Sequence, residues 1–220
     1  MQRNYQINDF VAINSQELNK RIAYHEAGHA TAIYLYNKHK QLPPIYFQIK
    51  LENNSELVRD RPCLQHDSIA AKVEGGCLIQ NLVLSFIDSQ NYMSASDRMG
   101  YNAALEADIV NLLAGAVAEA HYVSRIDDEI INAHLLSIQA LGNYGGQSDL
   151  KKIGEYLNCL ATDSQQKKQK LKQLINHTFE FISHRRNWKA VEAVAAFILS
   201  CKKQIISCEE IFAIVDATSA

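Results

Sequence analysis

His25-Glu26-Ala27-Gly28-His29 is the stretch on which the reading of this chain turns. It has the pattern H-E-x-x-H inside a segment with helical periodicity. On a helix, His25 and His29 share one face, so two imidazole nitrogens can reach one metal ion. Glu26, beside the first histidine, can reach a water on that ion. Two ligands plus a general base is the arrangement that zinc peptidases use. The flanks predict a helix from about Ser15 to about Lys40. Asn14-Ser15-Gln16-Glu17 offers a capping box. Leu18, Ile22, Ile33 and Tyr36 supply apolar positions, and Leu42-Pro43-Pro44 stops the helix. The residues around the motif are small and apolar: Ala23, Ala27, Gly28, Ala30 and Ala32. Histidines four apart also occur on solvated helices. On a helix this apolar, two imidazoles and a carboxylate need partners once buried, and a metal ion with its water would supply them.

The bulk properties narrow the class. The chain has 220 residues, enough for one sizeable domain, and 47% of them are hydrophobic. A net charge of −2 gives no electrostatic case for nucleic acid or an anionic membrane. The five cysteines form no C-x-x-C and no finger-like spacing. They read as free thiols in a reducing compartment, and the expected location is cytoplasmic. Met1 to Val11 is polar and has no apolar core of the kind a secretory signal needs. The longest apolar run, Ile109 to Val123, contains Asn111, Glu119 and His121 and is too short to span a bilayer. No integral membrane segment is expected. No G-x-x-x-x-G-K-[ST] is present, so there is no sign of a P-loop ATPase.

Outward from the motif, residues 1–14 read as a leader and 15–220 as one domain. Ile45 to Leu51, rich in β-branched and aromatic residues, predicts a strand. Glu52 to Pro62 reads as a polar loop. Ile69 to Gln80 predicts one or two strands broken at Gly75-Gly76. Leu82 to Ala95 is ambiguous. From Ala103 the pattern is mainly helical: Ala107 to Val123, Asp127 to Leu141, then a break at Gly142-Asn143-Tyr144-Gly145-Gly146. A helix follows from Ser148 or Asp149 to about Leu160. The helical C-terminal part, about 164–217, comprises Ser164 to Arg186, Trp188 to Cys201, and a last helix opened by the capping box Ser207-Cys208-Glu209-Glu210. The expected fold class is mainly α (α+β), with a small β-sheet beside the metal-binding helix.

A catalytic zinc takes three protein ligands and keeps one open position. The extended motif H-E-x-x-H-x-x-G-x-x-H fails here, because Ala32 and Leu35 stand where Gly and His are needed. Glu119, on a later helix, is one candidate third ligand. Asp149 is another, since a short carboxylate just past a glycine break is favoured by the helix dipole, although the same position suits a simple cap. His121 and His134 are further candidates.

Three stretches resemble the peptidase domain of the FtsH-type ATP-dependent zinc metalloproteases. Arg21-Ile22-Ala23-Tyr24-His25-Glu26-Ala27-Gly28-His29-Ala30 is similar to that family's zinc helix. Leu113-Ala114-Gly115-Ala116-Val117-Ala118-Glu119 is similar to its L-A-G-R-x-A-E-E helix, and Gly145-Gly146-Gln147-Ser148-Asp149-Leu150 to its G-A-x-N-D-L segment. Trp188 to Asp216 follows the pattern of its C-terminal helices. The resemblance spans about 20–216. It implies a helical zinc-metallopeptidase domain in which His25, His29 and Asp149 bind Zn2+, Glu26 is the catalytic base and Glu119 lies in the second sphere. The implied activity is hydrolysis of peptide bonds in unstructured polypeptide. The implied partners are a polypeptide substrate, a separate AAA+ ATPase and further copies in a homo-oligomer. The chain departs from the pattern at Ser148, Ala116 and Ala120, and in a longer stretch at about 124–144. Ile45 to Leu51 reads equally as an edge strand that pairs with substrate or as an ordinary buried strand. The competing reading is a catalytically weak or inactive peptidase-like module that binds partners or an ATP-dependent protease.

Overall fold

The computed structural model describes residues 15–53, 69–79, 94–133, 136–161 and 163–218. The expected leader, nearly all of the loop from Glu52 to Pro62, and His134 lie outside these residues, as does the ambiguous stretch up to residue 93. The fold class is as expected: mainly helical, with a small three-stranded antiparallel sheet.

The motif helix, α1 (Ser15–Thr31), runs on through a π-helical turn (Ala32–Tyr36) into the short α2 (Asn37–His39). It stops before the prolines, where Gln41 takes φ 55 and the Leu42 N–H turns back to the Asn37 carbonyl. A π-turn one residue beyond the His29 turn is a local widening of the kind often found near functional sites.

Two strands follow, β1 (Phe47–Asn53) and β2 (Ile69–Gly75), paired antiparallel with Ile49 opposite Val73. Strand alternation sorts their side chains. Phe47, Ile49, Leu51, Ala71 and Val73 are buried. On the other face Lys50 and Gln48 meet Glu74 at 2.8 and 3.2 Å. Gly75 and Gly76 both have positive φ, 85° and 75°, and end the strand at the expected place. A third strand, β3 (Ile205–Ser207), pairs with the other side of β1, so the order is β2-β1-β3. Among the described residues β1 is central, flanked by β2 and β3, and has no open edge at Gln48 to Lys50, so the edge-strand reading is corrected and the ordinary buried strand holds. A three-residue strand so close to a helix start has no periodicity to announce it.

The long helix that follows is α3 (Ala95–Ile126), capped by Ser94, whose hydroxyl accepts from the Asp97 N–H. Its middle is buried all round, as its run of Leu, Ala, Gly and Val requires. α1 packs chiefly on α3, and Gly28 permits the approach: a Cβ there would stand 2.5 Å from the Ala114 carbonyl oxygen. After α3 the expected helix over Asp127 to Leu141 is replaced by an irregular turn. Asp128 takes φ 52, and among the described residues of this stretch α-helix is confined to α4 (Ile138–Gly142). The acids Asp127, Asp128 and Glu129 oppose the negative end of the α3 dipole, and Asp tolerates the left-handed conformation.

The remaining helices stand close to expectation: α5 (Gln147–Leu160), α6 (Ser164–Ser183), α7 (Arg185–Ser200) and α8 (Cys208–Ala217). The Ser207/Glu210 capping box is formed in both directions. On α5, Asp149, Ile153, Tyr156 and Leu157 make one buried face, so the carboxylate is carried inward with the apolar stripe.

Candidate metal centre

The site is assembled from three helices. His25, Glu26 and His29 on α1 are fully buried, and Asp149 in the first turn of α5 is 3% exposed. One ligand atom from each of His25, His29 and Asp149 falls within 4.8 Å of the others. This is a buried group that could hold a metal ion.

The hydrogen bonds behind the rings determine which atoms face inward. His29 Nδ1 lies 2.7 Å from the Asn111 carbonyl oxygen, which can only accept, so Nδ1 carries the proton. His25 Nδ1 lies 3.1 Å from Glu119 Oε2, again an acceptor. In its neutral form each ring therefore keeps its lone pair on Nε2. His25 Nε2, His29 Nε2 and Asp149 Oδ2 are buried and lack hydrogen-bond partners. His29 Nε2 and Asp149 Oδ2 approach to 3.3 Å but are not aligned as a hydrogen bond. Three converging, unsatisfied donor atoms in a buried site are costly unless a cation joins them. The residues therefore fit a metal ion, and two nitrogens with one carboxylate oxygen is a zinc-type donor set.

Protonation follows the same geometry. Burial pulls the His25 imidazole down, but the hydrogen bond to Glu119 and the charges of Glu26, Glu119 and Asp149 outweigh it and raise the group. Burial pushes the Asp149 carboxyl up, but His29 and then His25 hold it below the usual carboxylate range. Burial raises Glu26, and neither histidine fully offsets it. Glu26 Oε2 accepts the Val73 N–H at 2.7 Å, while Oε1 has no hydrogen-bond partner. The edge strand β2 is thus fastened to the expected base.

Glu119 stands behind His25, on the side away from the cluster of three. Asp149 is not a cap: the N-cap of α5 is Gly146, which caps with no side chain, and the Asp149 carboxylate turns to His29. His121 lies elsewhere, against Trp188 with ring centroids 4.2 Å apart. Three contributors went unforeseen. The Asn111 carbonyl is a backbone group that no motif marks. Val73 N–H depends on sheet register. Gly115 leaves the space that His29 fills, since a Cβ there would collide with the imidazole; its signal was the glycine of Leu113-Ala114-Gly115.

Comparison with protein-family models, with curated proteins and with solved structures returns no match for this chain.

Proposed function

We propose that this protein is a zinc-dependent metalloendopeptidase that hydrolyses peptide bonds in unstructured polypeptide. His25, His29 and Asp149 hold the zinc, and Glu26 is the general base. The observation that carries this reading is the convergence of three unsatisfied donor atoms with Glu26 on the same helix as two of them. Glu26 Oε2 fastens β2, but a purely structural site has no use for its free Oε1.

When bound, zinc lowers the pKa of a water and polarises the scissile carbonyl. The chain's own residues do the rest. Glu119 and the Asn111 carbonyl hold the two rings in the tautomer that presents Nε2 inward. Glu26, raised by burial, takes the attacking water's proton at Oε1 and returns it to the leaving amine. The sheet edge next to Glu26 is β2, so backbone recognition of an extended substrate falls to β2.

The test pairs metal analysis of the purified protein with casein cleavage by wild type and Glu26→Gln. The expected result is about one zinc per chain in both, with cleavage falling at least about a hundredfold in the variant. Equal cleavage by both would assign it to a contaminant or another site. Zinc without any cleavage would favour the partner-binding module.

A further inference from the structure

A second site lies away from the metal centre, where the end of α3 meets the start of α7. A cleft of about 450 Å³ opens there, lined among others by His121, Arg125, Arg185, Trp188, Lys189 and Glu192. Three of these side chains are cations and one is an anion. Glu192 is already engaged: it accepts from Trp188 Nε1 at 2.8 Å and faces the Arg125 guanidinium at 3.7 Å. Arg185 and Lys189 are exposed, and no described carboxylate pairs with either of them. The cleft therefore carries a net charge of about +2 at neutral pH. The acids Asp127, Asp128 and Glu129 that follow Arg125 in the chain do not line it.

Two further observations point the same way. Arg185 opens α7, whose N-cap residue His184 makes no side-chain cap, so no cap side chain competes for the first N–H groups of this 16-residue helix. His121 has a buried Nδ1 with no partner. Burial and the Arg125 charge lower its imidazole to about 4, so at neutral pH the ring is uncharged and leaves the cleft's charge balance to the other side chains. The Arg125 guanidinium lies over the Trp188 ring, 5.6 Å from its centroid, which positions one arm of the cationic set.

We propose that this cleft binds a small phosphate monoester. Forked guanidinium groups and a lysine ammonium suit phosphate oxygens. A phosphate monoester carries about −1.5 to −2 at pH 7, which matches the cleft's balance, whereas a carboxylate carries half that. The volume exceeds what a bare phosphate fills, which leaves room for the organic part. This inference does not depend on the metal centre or on peptidase activity.

Trp188 is the chain's only tryptophan, so its fluorescence reports from this cleft alone. The experiment titrates the full chain with inorganic phosphate, phosphoserine, serine and acetate at matched ionic strength, with calorimetry as a second readout. The expected result is saturable binding of both phosphate probes, at least about tenfold tighter than acetate, and weakened by salt. Tighter binding of phosphoserine than phosphate assigns the site to an ester. Arg185→Ala with Lys189→Ala, both on the surface, should keep the melting temperature and lose at least about tenfold in affinity. The proposal fails if neither method detects saturation up to about 10 mM. It fails equally if acetate or serine binds as well as phosphoserine, or if the folded double variant binds like wild type.

Discussion

Gly115 of α3 lies directly against the His29 imidazole of α1, and any side chain larger than hydrogen would occupy the ring's place. The distance between the two in sequence hides this. Helix propensity alone favours alanine over glycine by about 1 kcal/mol in a helix interior. The collision acts in the opposite direction. Gly115→Ala should therefore keep the helical circular dichroism yet weaken zinc binding at least about tenfold, read by competition with a chromogenic chelator. Unchanged affinity would mean that His29 is not held where the structure places it.

The third ligand separates from its neighbour in the same assay. Asp149→Ala removes a donor atom that faces the two histidine nitrogens and should abolish stoichiometric zinc in elemental analysis. Glu119→Gln removes only the charge behind His25 and should retain zinc, with affinity reduced about 10–100-fold. Full zinc in Asp149→Ala, with none in Glu119→Gln, would exchange their roles. Measuring iron and manganese in the same samples identifies the metal directly.

Asp108 offers a pH test away from the candidate metal centre. It is buried on α3 and accepts the Leu78 and Ile79 N–H groups, each at 2.8 Å, so it anchors the segment that follows β2. Burial raises its carboxyl to about 6, against the opposing pull of those two N–H groups and Lys152. In the unfolded chain its pKa is about 3.9. Between these values the folded state holds a proton that the unfolded state has lost, so stability from this group falls as pH rises from about 4 to about 6 and is level above. Chemical denaturation of wild type and Asp108→Asn across that range should show the difference between them drifting against wild type by roughly 2–3 kcal/mol. A flat difference would place the carboxyl near its ordinary value.

The proposed substrate class carries its own prediction. Unfolding a stable domain takes about 5–15 kcal/mol, and these 220 residues contain no P-loop motif to couple ATP to that work. The isolated protein should cleave casein-like chains and short peptides, spare a stably folded protein, and respond to ATP in neither rate nor extent. Rapid loss of the folded substrate, or ATP stimulation of the pure protein, would reveal a nucleotide site. Stimulation only on adding a separate AAA+ protein would support a partner motor.

Much of this architecture was legible in local patterns. The capping box at Ser207, the prolines after Leu42, the glycine pair after Val73 and the i, i+4 histidines each act within one turn or one strand, so neighbours in sequence suffice to specify them. The pattern misled where local helix propensity at Asp127 to Leu141 met three acids at a helix end, and the dipole and a left-handed Asp128 prevailed. What only the tertiary structure decided was which distant groups meet. His25 finds Glu119 94 residues away, and His29 finds the Asn111 carbonyl 82 residues away. The choice between Asp149 and Glu119 as the inward carboxylate, and the central rather than edge position of β1, depend on helix packing and sheet order. No residue's own chemistry encodes them, because a backbone carbonyl, a strand edge or a glycine's empty space becomes part of a site only when another element is packed against it.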